Sequence, residues 1–91
     1  MAFLFMQFEV EDFDGWKETF DSDPAGRRQI AKGHQIFRGV DDPNQVFVAT
    51  EYASAEDAKS LRDRLLATGV LDNFTVKTEP TVTELADPAQ Y

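Results

Sequence analysis

The chain has 91 residues, no Cys, 8 Phe and a formal charge of −8, and a chain this short buries only about 60% of the surface its unfolded form exposes, which limits it to one domain around one core. The missing Cys excludes disulfides, thiolate metal sites and Cys nucleophiles, and fits a reducing, cytoplasmic setting. A pI near 4.4 argues against nucleic-acid binding, which rests on a surplus of Lys and Arg.

In chain order, Ala2, Leu4, Met6, Phe8 and Val10 alternate with Phe3, Phe5, Gln7 and Glu9, the period-two pattern of a strand that carries apolar groups on both faces near its start. A sheet with one wet face would be polar at positions 3 and 5, so a cover for the second face is expected. No basic residue precedes this apolar start and polar ones follow at once, so neither a signal peptide nor a membrane span of about 20 apolar residues is expected. Glu11-Asp12-Phe13-Asp14 then supplies a cap and negative charge for a helix beginning near Asp12, with Phe13, Trp16 and Phe20 as its buried stripe.

Ser22-Asp23-Pro24 breaks the pattern and predicts a kink or a restarted helix. That helix would end at Gly33, with Arg27, Arg28 and Lys32 at its C-terminal, electronegative end. His34–Val40 and Gln45–Tyr52 read as strands joined by the turn Asp41-Asp42-Pro43-Asn44. A four-residue turn sets Val40 opposite Gln45 and Arg38 roughly opposite Phe47. Ser54-Ala55-Glu56-Asp57 has the spacing of a capping box ahead of Ala58, Leu61 and Leu65, and Gly69 closes that helix. Phe74, Val76 and Val82 alternate with Thr75, Lys77, Glu79, Thr81 and Thr83 in a last strand, where Pro80 marks an edge or a bulge. Residues 1–85 form one domain and residues 86–91 a tail.

The order strand, helix, strand, strand, helix, strand is that of an α+β, ferredoxin-like βαββαβ fold with a four-stranded antiparallel sheet. Two helices cover one sheet face and leave Phe3 and Phe5 on the other. A second copy, related by a two-fold axis and pressing its own sheet against this one, is the economical cover.

Over most of its length, from Phe3 to about Val82, the chain resembles the dimeric α/β-barrel superfamily, which includes the antibiotic biosynthesis monooxygenases and small cyclase-like proteins of unassigned role. The resemblance is carried by the helix Asp12-Phe13-Asp14-Gly15-Trp16-Lys17-Glu18-Thr19-Phe20, the hairpin from Gln35 to Val46, the strand end Glu51-Tyr52, and the helix from Ala58 into Thr68-Gly69-Val70. It implies a homodimer, two sheets packing as a barrel, with a pocket between sheet and helices in each copy. Haem is not implied. The helix from Ser54 to Thr68 has neither His nor Trp, and position 7 is Gln where the haem-degrading branch has Asn. No position matches closely enough to carry over a catalytic set.

His34 is the only histidine and the natural candidate for acid or base work near neutral pH, although a solvated His opening a strand is the plainer reading. Glu51 ends an otherwise apolar strand and is the second candidate base, or else a partner for Arg38 across the hairpin. Residues 24–40 hold four cations and no acid, whereas residues 41–57 hold five acids and no base, so an anionic ligand would be least repelled by the first stretch. Phe5, Gln7, Trp16, Phe37, Arg38, Phe47 and Tyr52 are the candidate ligand-binding residues, against the alternative that Trp16 and Tyr52 are core and Gln7 an interface rim. One His without Cys does not make a metal site, and no phosphate loop or nucleophile elbow appears, so neither metal nor cofactor is expected. The reading is a homodimer that binds a small apolar, aromatic or anionic molecule, with no nucleic-acid or membrane partner. A cofactor-independent monooxygenase or cyclase acting on a polyketide-like aromatic is the second reading, and a non-enzymatic interaction protein the third.

Overall fold

A computed structural model describes residues 1–91. Strand β1 (Ala2–Glu9) leads to helix α1 (Phe13–Asp21), then strands β2 (Ala31–Arg38) and β3 (Gln45–Tyr52), helix α2 (Ala55–Thr68) and strand β4 (Thr75–Glu84). The strands form one antiparallel sheet in the order β2-β3-β1-β4, so the fold is ferredoxin-like. The smallest dimension, 18 Å, leaves room for one helical layer on one sheet. No helix is long and apolar enough to cross a membrane.

The local signals act where they stand. Asp12 caps α1 by accepting the N–H of Asp14 at 3.1 Å. Ser54 caps α2 through the N–H of Asp57 at 3.2 Å, and Gly69 ends α2 in the left-handed conformation at φ 72°. β4 is an edge strand, and its register with β1 shifts opposite Met6 and again at Lys77. Pro80, which has no N–H for a ladder, falls at the first of these shifts.

Two segments depart from the sequence expectation. No helix runs from Pro24 to Gly33. Only a single 3-10 turn forms, Arg27–Gln29, and Lys32 and Gly33 belong to β2. The reason is local: Asp23, itself at φ 58°, accepts the backbone N–H groups of Arg27 at 2.8 Å and Arg28 at 3.2 Å. Gly26 at φ 73° then bends the chain back toward the sheet. The β2–β3 hairpin is also one residue off the expected register, with Arg38 opposite Val46 and Phe37 opposite Phe47. Here the turn begins at Gly39, whose N–H donates to Gln45 O at 2.9 Å. A Cβ at that position would meet the Asp42 carbonyl oxygen at 2.5 Å, so only glycine fits.

The core lies between sheet and helices. Leu4, Met6, Phe8, Val46, Val48 and Tyr52 meet Trp16, Ala58, Leu61 and Leu65 there. α2 lies close on β1, β3 and β4, while α1 stands further off and is held through aromatic rings. Trp16 touches Phe8 at 5.5 Å between centroids and stacks on Phe20 at 5.4 Å. The strand register puts Phe3, Phe5, Gln7, Phe37, Phe47 and Glu51 on the opposite sheet face, which no helix covers. Phe5 is 43% and Phe37 52% exposed there.

Candidate functional site

Because α1 is propped off the sheet by its rings, a cavity of about 60 Å³ opens between them. Its floor is Leu4, Met6, Phe8, Thr50 and Tyr52 of the sheet, one wall is Trp16 and Phe20 of α1, and the other is Leu61 and Leu65 of α2 with Val70, Leu71 and Phe74 beyond it. The bend between α1 and β2, from Asp23 to Arg27, closes one end. Of the 17 lining residues 12 are hydrophobic.

The polar lining residues are Thr19, Asp23, Arg27 and Thr50, together with the Tyr52 hydroxyl. The guanidinium of Arg27 is buried, with its central carbon 3.6 Å from the centroid of the Phe20 ring. Its Nη1 donates to Phe20 O at 2.7 Å and to Asp23 Oδ1 at 3.2 Å. Nη2 is buried and has no hydrogen-bond partner in the protein. Burial lowers the Arg27 pKa, and the facing Asp23 carboxylate opposes that shift. Tyr52 is fully buried and its hydroxyl accepts from Thr50 Oγ1 at 2.9 Å. Burial raises its pKa, so near neutral pH it is a neutral phenol with its own proton free to donate.

The candidate residues read from the sequence divide among three places. Trp16 and Tyr52 line the cavity. Phe5, Gln7, Phe37, Phe47 and Glu51 gather on the open sheet face. Gln7, Phe47 and Phe37 form one cross-strand row there, and Gln7 Oε1 accepts from Thr78 Oγ1 at 3.4 Å. Glu51, between Phe3 and Gly33, is therefore on the side of the sheet away from the cavity and forms no ion pair with Arg38. His34 and Arg38 flank α1. The imidazole stands edge-on to Phe20 at 5.0 Å, and Arg38 lies 4.1 Å above the Phe13 ring while its Nε donates to Pro43 O at 2.9 Å.

His34 touches the outer edge of the ring whose other neighbours are Trp16 and Arg27. Desolvation and then the positive charge of Arg27 lower its pKa below 6.5, so it is neutral at pH 7. No three metal-ligating side chains converge anywhere in the fold. Thr19, Asp23, Arg27 and Thr50 are the polar cavity residues that sequence reading did not single out. Arg27 was visible only as one member of the basic stretch, where it was assigned to a helix end that does not form.

No protein-family model matches the chain, and no curated protein matches it. Solved structures do. Rv0793 from Mycobacterium tuberculosis is similar over 98% of this chain and 96% of its own, with a TM-score of 0.64 and 13% identity. A candidate antibiotic biosynthesis monooxygenase from Nitrosomonas europaea is similar over 91% of this chain and 94% of its own, with a TM-score of 0.61 and 14% identity. A further antibiotic biosynthesis monooxygenase covers 97% of this chain and all of its own at a TM-score of 0.58 and 13% identity. The fold, end to end, is the one these proteins share. Likeness at this level of identity carries the architecture and no chemistry.

Proposed function

We propose that this protein is a cytoplasmic homodimer that binds a small, largely apolar or aromatic molecule in the cavity between α1, α2 and the sheet. The observation that carries the reading is the cavity wall: mainly apolar and aromatic side chains, with Thr19, Asp23, Arg27, Thr50 and the Tyr52 hydroxyl as its few polar groups. Trp16, Phe20 and Phe74 would line the cavity with aromatic surface. Leu61 and Leu65 would exclude water from it. Support for the dimer comes from the uncovered sheet face, where Phe3, Phe5, Phe37 and Phe47 would be buried by the same face of a second copy. Native mass spectrometry of the purified protein tests both parts. The expected species is twice 10.3 kDa plus a carried or added aromatic ligand, and a bare monomer with no ligand uptake would overturn the proposal.

A second reading is favoured by the two structural neighbours described as antibiotic biosynthesis monooxygenases: oxygenation or cyclisation of a phenolic aromatic without a resident cofactor. Within it His34, edge-on to Phe20 of the cavity wall, is on the cavity side of the sheet. Glu51 would serve only a ligand on the open face. Oxygen uptake with a panel of polyketide-like phenols, compared in wild type, His34→Ala and Glu51→Ala, tests these roles. Unchanged turnover in both variants would remove them.

A further inference from the structure

The polar groups on the cavity wall are spent on the protein itself. Thr50 Oγ1 donates to the Tyr52 hydroxyl at 2.9 Å, and Thr19 Oγ1 donates to Gly15 O at 3.4 Å. Asp23 Oδ1 serves Arg27 N and Nη1, and its Oδ2 serves Arg28 N. Arg27 Nη2 and the Tyr52 hydroxyl have a proton to spare but no surface to offer, since Nη2 is buried and Tyr52 is 0% exposed. What the cavity presents to a guest is therefore almost wholly apolar, supplied by Met6, Trp16, Phe20, Leu61, Leu65 and Phe74. A buried water needs about two to four polar partners, and cavities without them stay dry and take up apolar guests.

Size limits the guest as strictly as polarity does. At roughly 10–15 Å³ for each water-sized position, a cavity of about 60 Å³ holds about four to six heavy atoms, fewer than any substituted ring. We propose that the guest is an apolar molecule of about six heavy atoms or fewer with no hydrogen-bonding group, dioxygen or a short hydrocarbon, enclosed by Met6, Trp16, Leu61 and Leu65. This rests on the reading that the cavity is a binding site, and it narrows what that site takes from apolar or aromatic molecules to small apolar ones. Such a guest gives up no hydrogen bond to water on entering, and the wall asks for none in return.

NMR titration of the purified protein with isobutane and with 2-propanol, matched in heavy-atom count and differing by a hydroxyl in place of a methyl group, reads the chemistry. Naphthalene, larger than the cavity, reads the size. Location is read from the indole N–H of Trp16, the chain's one tryptophan, and from the ε-methyl of Met6, both on the cavity wall. Isobutane is expected to move both resonances and to bind about tenfold or more tightly than 2-propanol, whose hydroxyl would be buried without a partner. Naphthalene should move neither. Dioxygen under pressure is paramagnetic, so selective broadening of the two resonances that isobutane relieves identifies dioxygen as a guest, and isobutane binding without such broadening identifies a hydrocarbon. Val70→Phe, which fills the cavity from a half-buried part of its wall, should abolish the response to isobutane. Equal affinities for isobutane and 2-propanol would overturn the apolar assignment, and naphthalene moving both resonances would overturn the size limit. Either result leaves the cavity reading intact, whereas no movement with any probe would overturn both. An undiminished response in folded Val70→Phe would place the guest outside this cavity, and the comparisons within wild type stand even where that variant fails to fold.

Discussion

Replacing Phe37 with Glu on the open sheet face separates a dimer built on this surface from a monomer that simply tolerates it. Phe37 is 52% exposed, so about 100 Å² of a side chain of roughly 200 Å² is left for a partner to cover. At about 25 cal/mol per Å² this is about 2.5 kcal/mol for each copy. A two-fold contact uses the residue twice, which makes about 5 kcal/mol, and the carboxylate adds its own desolvation cost. With each 1.4 kcal/mol worth about a factor of ten, the substitution should weaken dimerisation by about three orders of magnitude or more. Leu66 on α2 is a matched control at 50% exposure, because Leu66→Glu makes the same change outside the sheet face. Sedimentation equilibrium at micromolar concentration is expected to give dimers for wild type and Leu66→Glu and monomers for Phe37→Glu, with far-UV circular dichroism unchanged in all three. A wild-type monomer, or a Phe37→Glu protein that stays dimeric, would refute the assignment of the interface to this face.

Three further outcomes follow from other parts of the fold. Asp23→Ala should lower unfolding free energy in urea by about 3 kcal/mol, because two backbone N–H groups lose their acceptor and Ala is strained at φ 58°. Asp23→Gly should cost about 1 kcal/mol less because it escapes the strain, and equal costs would refute the left-handed backbone. The His34 pKa in the fold lies below its unfolded value of 6.5, so protonation favours the unfolded chain. The stability this confers is complete above pH 6.5 and is lost as pH falls through the folded pKa. An NMR titration midpoint for His34 at or above 6.5, or a pH–stability profile unchanged by His34→Gln, would contradict it. Thr50→Val should cost about 1 kcal/mol by removing the proton donated to the buried Tyr52 hydroxyl, and a neutral effect would deny that hydrogen bond a structural role.

Much of the fold was legible because its signals are local. The alternation from Ala2 to Val10 names the two faces of β1, since the pleat repeats every two residues whatever lies beside it. Asp12, Ser54 and Gly69 act on groups within four residues of themselves. The stripe Phe13, Trp16, Phe20 marked the buried side of α1 correctly, with Trp16 at its centre. The segment from Asp23 to Gly33 misled for a physical reason. Its cations and Pro24 have the composition of a helix, but the Asp23 carboxylate competes for the same N–H groups and takes them. The hairpin register moved by one residue because Gly39 turns the chain earlier than the acidic tetrapeptide indicated.

Composition and period alone determined an acidic chain without Cys, six elements in ferredoxin-like order, and a first strand whose second face carries Phe3 and Phe5. Only the tertiary structure decided how the candidate residues group: Trp16 and Tyr52 beside a cavity, Phe5, Gln7, Phe37, Phe47 and Glu51 across the sheet from it, and Arg27 buried against the Phe20 ring with one nitrogen unpaired. Periodicity reports which way a side chain leaves its own strand or helix. The gap between α1 and the sheet, and the presence of Arg27, Thr50 and Tyr52 together on its wall, depend on distances between elements far apart in the chain, which no local pattern encodes.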